Sequence, residues 1–159
     1  MSRFKPQQKG RQLAFQFIFG IEYMPSEWTA ALAQFWEMDR AALGRDYPAG
    51  ERDADVTAVR AEERAFSEKL ICGVMEHKKE LDSAIVDALD NWAPARVGRM
   101  EWAILRLASY ELLYDHDTPH RVVLSEAMRL GDLYGEENTA RFVNGILNRI
   151  IDKRETGES

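Results

Sequence analysis

Catalysis or metal binding in this chain would have to come from three histidines, one cysteine and 27 carboxylates. His77, His116 and His120 show no i, i+4 pairing, and there is no HExxH or CxxC arrangement. His116 lies between Asp115 and Asp117, a ligand-like composition, but Asp-His-Asp-Thr-Pro is also the ordinary makeup of a polar turn before a helix. Cys72 sits beside Gly73 in a helical pattern without a basic neighbour to lower its pKa, so the sequence predicts a buried, inert thiol. No glycine-rich phosphate loop and no GxSxG elbow occurs. The carboxylates are scattered over helical faces, where solvation is their usual role. The expectation is a non-enzyme with no catalytic residue, metal or cofactor.

Recognition chemistry is better represented. The formal charge is −6, which for the whole chain argues against a polyanionic partner. The charge is unevenly spread. Residues 1–21 carry Arg3, Lys5, Lys9 and Arg11 and no acid, a head of +4 that leaves −10 on the remainder. A basic leader running into a helix can neutralise phosphates, and it can equally be a solubilising terminus. Gln7, Gln8, Gln12 and Gln16 add side chains able to contact bases or sugars. Of the four tryptophans, Trp28, Trp36 and Trp92 fall among apolar neighbours and are expected in the core. Trp102, about 100° from the main stripe of its helix, is expected to be partly exposed.

The elements that position these groups read as helices almost throughout, for proline is scarce and strand-like alternation absent. A first helix opens near Pro6, with Leu13, Ala14, Phe17, Ile18 and Ile21 on one stripe, and stops at Met24-Pro25-Ser26. Phe15 and Phe19 make it apolar on several sides, as in a central helix or an interface. Further helices are expected over 28–43, 57–77, 79–92 and 95–114, then one after the 115–119 turn that carries Val123, Ala127 and Leu130, and one from Asn138 onward. Gly135 suits a left-handed helix end, Asn138 a side-chain cap, and Gly145 close approach of another backbone. The sum is an all-α chain of about seven helices.

One domain over 1–159 fits this length, which buries roughly 68–70% of the unfolded surface. The segment near 44–56 is expected to be a mobile loop and 153–159 a frayed tail. No run of about 18 apolar residues suggests a membrane span, and no secretory h-region opens the chain. The lone cysteine fits a reducing cytoplasm.

Four motifs share a family resemblance. Arg141-Phe142-Val143-Asn144-Gly145-Ile146-Leu147-Asn148 resembles the FVNG-x-L signature that closes the NusB family of bacterial transcription antitermination factors. Ile104 through Leu112 resembles its LR-x-A-x-YEL helix, and Pro119 through Ala127 the helix that follows. Lys9 through Gln16 is similar to its basic-x-Arg-x-x-Ala-x-Gln opening. The resemblance implies two small helical bundles packed side by side and no catalysis. It also implies partnership with NusE, which is ribosomal protein S10, on boxA-type RNA within an RNA polymerase antitermination complex that supports transcription of ribosomal RNA operons.

Carried over by position, Lys9 and Arg11 match the family's RNA surface directly, and Arg3 and Lys5 by neighbourhood. Gln12 joins them, and Asn138 and Phe142 match positions beside the same surface, Phe142 reading equally well as core. Phe19, Tyr23 and Glu101 match positions that face NusE. Trp102 is grouped with them but departs from the family, standing where a basic residue is usual, and Ser125 replaces a common asparagine. Arg106, Glu111 and Glu126 read as an arginine–carboxylate network between the fifth and sixth helices. On this reading Arg11→Ala weakens RNA binding and leaves the fold intact. Two other readings remain: an accessory domain of an RNA cytosine methyltransferase, and a homodimer through the apolar first helix.

Overall fold

The computed structural model describes residues 5–22, 27–37 and 61–157, with the side chains of Lys5 and Pro6 outside that description. Seven α-helices and no strand occur among them: α1 (Lys5–Ile21), α2 (Trp28–Glu37), α3 (Ala61–Glu76), α4 (Lys78–Ala88), α5 (Arg99–Tyr114), α6 (His120–Tyr134) and α7 (Thr139–Thr156). The expected loop near 44–56 lies outside the described residues, as do Arg3, Tyr23 and the end expected for the second helix. None of the described helices is long and apolar enough to cross a membrane.

α1, α2 and α3 form one bundle, and α4 through α7 form the other. α5 is the shared wall, touching α1 and α3 on one side and α4, α6 and α7 on the other. Its sequence explains the role: Ala103 through Ser109 are all buried, so the helix is enclosed on every side along that stretch. α1 is central too. Leu13, Ala14, Phe15, Phe17 and Ile18 are buried within the chain.

Close backbone approach is set by glycine, but not at the expected one. A Cβ on Gly131 would lie 3.0 Å from the backbone of Ala140, so α6 and α7 meet there. A Cβ on Gly10 would meet Phe66 of α3, and one on Gly73 the Tyr110 ring of α5. Gly145 has nothing within 4 Å of that position and faces open space.

Several helix ends differ from the sequence reading. α4 stops at Ala88, because Asp90 takes a left-handed backbone (φ 55°) and turns the chain. The fifth helix is preceded by a separate 3₁₀ turn, Pro94–Arg96, and restarts at Arg99. There the Gly98 amide donates to Glu101 Oε1 at 3.2 Å. Gly135 is extended (φ −93°, ψ −169°) rather than left-handed. Asn138 precedes α7 but makes no side-chain cap, and the neighbouring Thr139 hydroxyl instead accepts from the Glu136 amide at 2.9 Å. Residues 153–156, expected to fray, continue α7, with Lys153 3.5 Å from Asp87 and the left-handed Gly157 closing the helix.

Candidate nucleic-acid and partner interface

The side chains expected to meet RNA along α1 mostly turn inward. Arg11 is 2% exposed. Its Nε and Nη2 donate to the two carboxylate oxygens of Glu111 at 2.9 and 2.8 Å, a bidentate pair. Nη1 faces Glu126 at 3.8 Å, and the Phe66 ring lies 5.2 Å from the guanidinium carbon. Arg11 therefore joins α1 to α3, α5 and α6, and a phosphate reaching it would have to displace Glu111. This corrects its expected RNA role. Burial pushes the Glu111 carboxyl above its ordinary value, and the hydrogen bond and charge of Arg11 pull it back down.

The expected Arg106–Glu111–Glu126 network is corrected as well, since the cation beside both glutamates is Arg11. Arg106 points the other way, donating to Asp82 at 2.7 Å and to Glu22 at 2.6 Å. Burial alone would lower its pKa; Asp82 and Glu22 raise it above the ordinary value.

The glutamines of α1 are also committed. Gln8 donates to Glu126, Gln12 accepts from Arg129 at 3.1 Å, and Gln16 donates to the Tyr134 hydroxyl. Spaced four apart, they form one polar row along α1 that α6 answers. Gln12 is 1% exposed, which corrects its expected place on an RNA surface. Lys9 is partly covered and lies 3.9 Å from Glu63.

Of the residues expected to face a partner protein, Phe19, Glu101 and Trp102 are described, and each meets a neighbour on or before α5. Arg99, Trp102 and Arg106 follow one another at i, i+3 and i+7 along α5. The Arg99 guanidinium lies 4.3 Å from the Phe19 ring centroid and donates to the Phe19 carbonyl. Arg106 lies over the Trp102 ring at 4.9 Å. Phe19 and Trp102 are thus both half-buried and each covered by a guanidinium on one face, and Glu101 is used at the helix start.

At the start of α7, Phe142 borders an open groove of about 470 Å³. The opposite wall is the turn Leu89–Trp92. Trp92, expected in the core, is 44% exposed here, because the Asp90 turn ends α4 before it. Its ring stands 5.7 Å from that of Phe142, and Arg96 lies over it at 5.0 Å. Asn138 is exposed beyond the groove. The Asp90-Asn91 pair, both residues that tolerate turns, was the available signal for this exposure.

The other candidate groups are structural. Asp115 accepts from the Asp117 amide and the Thr118 hydroxyl, which makes the His116 segment a polar turn. Cys72 is half-buried rather than fully buried, and burial, then Glu76 and Glu68, push its thiol up. Among the described residues no three His, Cys, Asp or Glu side chains are grouped to hold a metal.

Comparison with known proteins gives a consistent result. The sequence model described as the NusB family matches residues 8–152. The transcription antitermination protein NusB of Syntrophotalea carbinolica is 41% identical over 142 residues, covering 89% of this chain and 88% of that protein. That of Desulfovibrio desulfuricans is 35% identical over 148 residues, covering 93% and 85%. Among solved structures, T. maritima NusB superposes with a TM-score of 0.70 at 27% identity, covering 98% and 99% of the two chains. A chain in a crystal structure of a plectonemic RNA supercoil has the same fold, with a TM-score of 0.72 at 22% identity, covering 96% and 98%.

Proposed function

The chain belongs to the NusB family, and from that premise we propose that it acts with NusE, ribosomal protein S10, on boxA-type single-stranded RNA. In this role it is a transcription antitermination factor that supports synthesis of ribosomal RNA in the cytoplasm as part of an RNA polymerase complex. Relatives that cover most of this chain are named transcription antitermination proteins, and the proposed role calls for no catalysis.

The observation that carries the reading is the strip Phe19–Arg99–Trp102–Arg106, built where the family resemblance puts the NusE-facing positions. Half-buried aromatics capped by guanidinium groups offer apolar area and directed donors together, the composition enriched at protein interfaces. Trp102, in place of the family's usual basic residue, adds apolar area to that contact. RNA then meets Lys9 and Phe142 with the basic leader Arg3 and Lys5, and Arg11 shapes this surface from beneath.

A gel shift with boxA-type RNA tests the assignment. This protein alone retards the RNA weakly and in a salt-sensitive way, and added NusE gives a slower, tighter complex. Absence of any retarded complex with both proteins present refutes it.

A further inference from the structure

The groove between the Leu89–Trp92 turn and α7 is built from two directions. From α7 come Arg141, Phe142, Gly145 and Arg149, which lie along one helix face. From the turn come Asp90 and Trp92. Arg149 fastens the two walls: its Nη1 donates to the Ala88 carbonyl at 3.2 Å and lies 3.3 Å from Asp90. The Trp92 amide donates back to the Leu89 carbonyl at 3.0 Å, which fixes where the indole emerges. Gly145 leaves the floor open, since nothing lies within 4 Å of its absent Cβ.

This place combines two features, an exposed indole and a cluster of arginines. A large aromatic ring is exposed, which is uncommon for an indole without a ligand or partner. Arg96, Arg141 and Arg149 surround it, against the single carboxylate of Asp90, in a chain whose formal charge is −6. Exposed π-surface ringed by guanidinium groups complements an unstacked base with phosphates on either side. The volume of about 470 Å³ falls in the range of small-ligand sites, roughly 300–1,000 Å³.

We propose that this groove holds a nucleobase of single-stranded RNA stacked on Trp92, with Phe142 at its edge and Arg141 and Arg149 on the flanking phosphates. The proposal rests on the RNA-binding reading above and adds Trp92, Arg141 and Arg149 to it. Phe142 supplies the inner wall, and the turn supplies the platform. The two rings already touch, with centroids 5.7 Å apart and planes inclined at 48°, so the base lies on the outer part of the indole, beside Arg96, and not between the rings.

The test is RNA affinity and tryptophan fluorescence of the full chain in the presence of NusE. RNA quenches emission in the wild type, and the quenching is largely lost in Trp92→Phe. Trp92→Ala binds about tenfold more weakly, and Trp92→Phe, which keeps a stacking face, falls between it and the wild type. Arg141→Gln lowers the slope of log affinity against log salt by about 0.7, the share of one single-strand phosphate. Circular dichroism melts show whether each variant is folded at the titration temperature, and the part of the quenching that Trp92→Phe removes assigns the signal to Trp92 among the four tryptophans. If wild-type protein binds RNA while its emission is unquenched and Trp92→Ala binds equally well, the groove assignment fails and the RNA reading stands. If Trp92→Ala weakens NusE pairing and not RNA binding, the groove serves the protein partner and the proposal is overturned. If RNA is not retarded at all with NusE present, both readings fall.

Discussion

Arg11→Ala separates a structural arginine from a phosphate contact. Guanidinium and carboxylate are each 2% exposed, so truncating Arg11 leaves the Glu111 charge buried with its two donors gone. Removing one member of a buried pair costs about 3–5 kcal/mol. Total stability for such a domain is about 5–15 kcal/mol, so the loss is a large fraction of it. With a urea slope of about 2 kcal/mol per M, a loss of about 4 kcal/mol moves the unfolding midpoint down by about 2 M. The penalty shrinks toward acid pH. Burial already raises the Glu111 pKa against the pull of Arg11, and losing Arg11 raises it further. A carboxyl with a raised folded pKa keeps a proton that the unfolded chain has released. Its stability penalty therefore grows as pH rises from the ordinary carboxylate range through the folded pKa, and disappears below both. The double variant Arg11→Met with Glu111→Leu recovers most of the midpoint, since it removes both charges and keeps apolar volume. Urea titrations at two pH values read all three effects. An Arg11→Ala midpoint within about 0.5 M of wild type, coupled to weakened RNA binding, refutes this reasoning and returns Arg11 to the surface.

Three further outcomes are expected. Gly131→Ala drives a methyl against the Ala140 backbone and costs about 1–3 kcal/mol, whereas Gly145→Ala, inside α7 with open space around it, gains up to about 1 kcal/mol; opposite shifts in thermal midpoint check the pair. Arg106→Ala, by leaving Asp82 and Glu22 without their shared donor, costs about 1–3 kcal/mol in chemical denaturation, less than Arg11→Ala because both acids are nearly a third exposed. Cys72 reacts with iodoacetamide at a higher half-maximal pH than a free thiol, because burial, Glu76 and Glu68 disfavour the thiolate; an ordinary or lowered value contradicts the raised pKa.

The periodic features of this fold were legible in the sequence and the pairwise ones were not. Apolar spacing of 3.6 residues marked all seven helices, because burial of one face leaves that signature in every turn. Arg11 and Glu111 lie 100 residues apart, and nothing local in either neighbourhood distinguishes a buried arginine from a phosphate-binding one. The same blindness made Gln8, Gln12 and Gln16 look available, when α6 accounts for each of them. Trp92 failed differently. Its apolar register with Leu81, Ile85 and Leu89 is sound as far as Leu89, but one residue at φ 55° ends the helix and carries the indole out of the core. Phe19, Glu101 and Trp102 were grouped by the family resemblance, and two of them each pack against an arginine, at 99 and 106, that no motif singled out for this role.

These placements alter what the charge distribution means. The +4 head suggested a cationic N-terminus reaching for RNA, but Arg11 is neutralised within the fold and Lys9 lies beside Glu63. The groove at the far bundle gathers Arg96, Arg141 and Arg149, although residues outside the head sum to −10. An acidic protein can therefore hold RNA without a basic face: its remaining surface repels polyanions, and a few arginines beside an exposed ring favour a single strand whose bases are free to stack. Duplex RNA keeps its bases paired and presents mainly phosphate, so it gains nothing from Trp92 and meets the full repulsion of the acidic body. On the proposed reading, discrimination between single and double strands is expected from charge placement and one turn, and competition by duplex RNA as effective as that by single-stranded RNA of equal length would refute it.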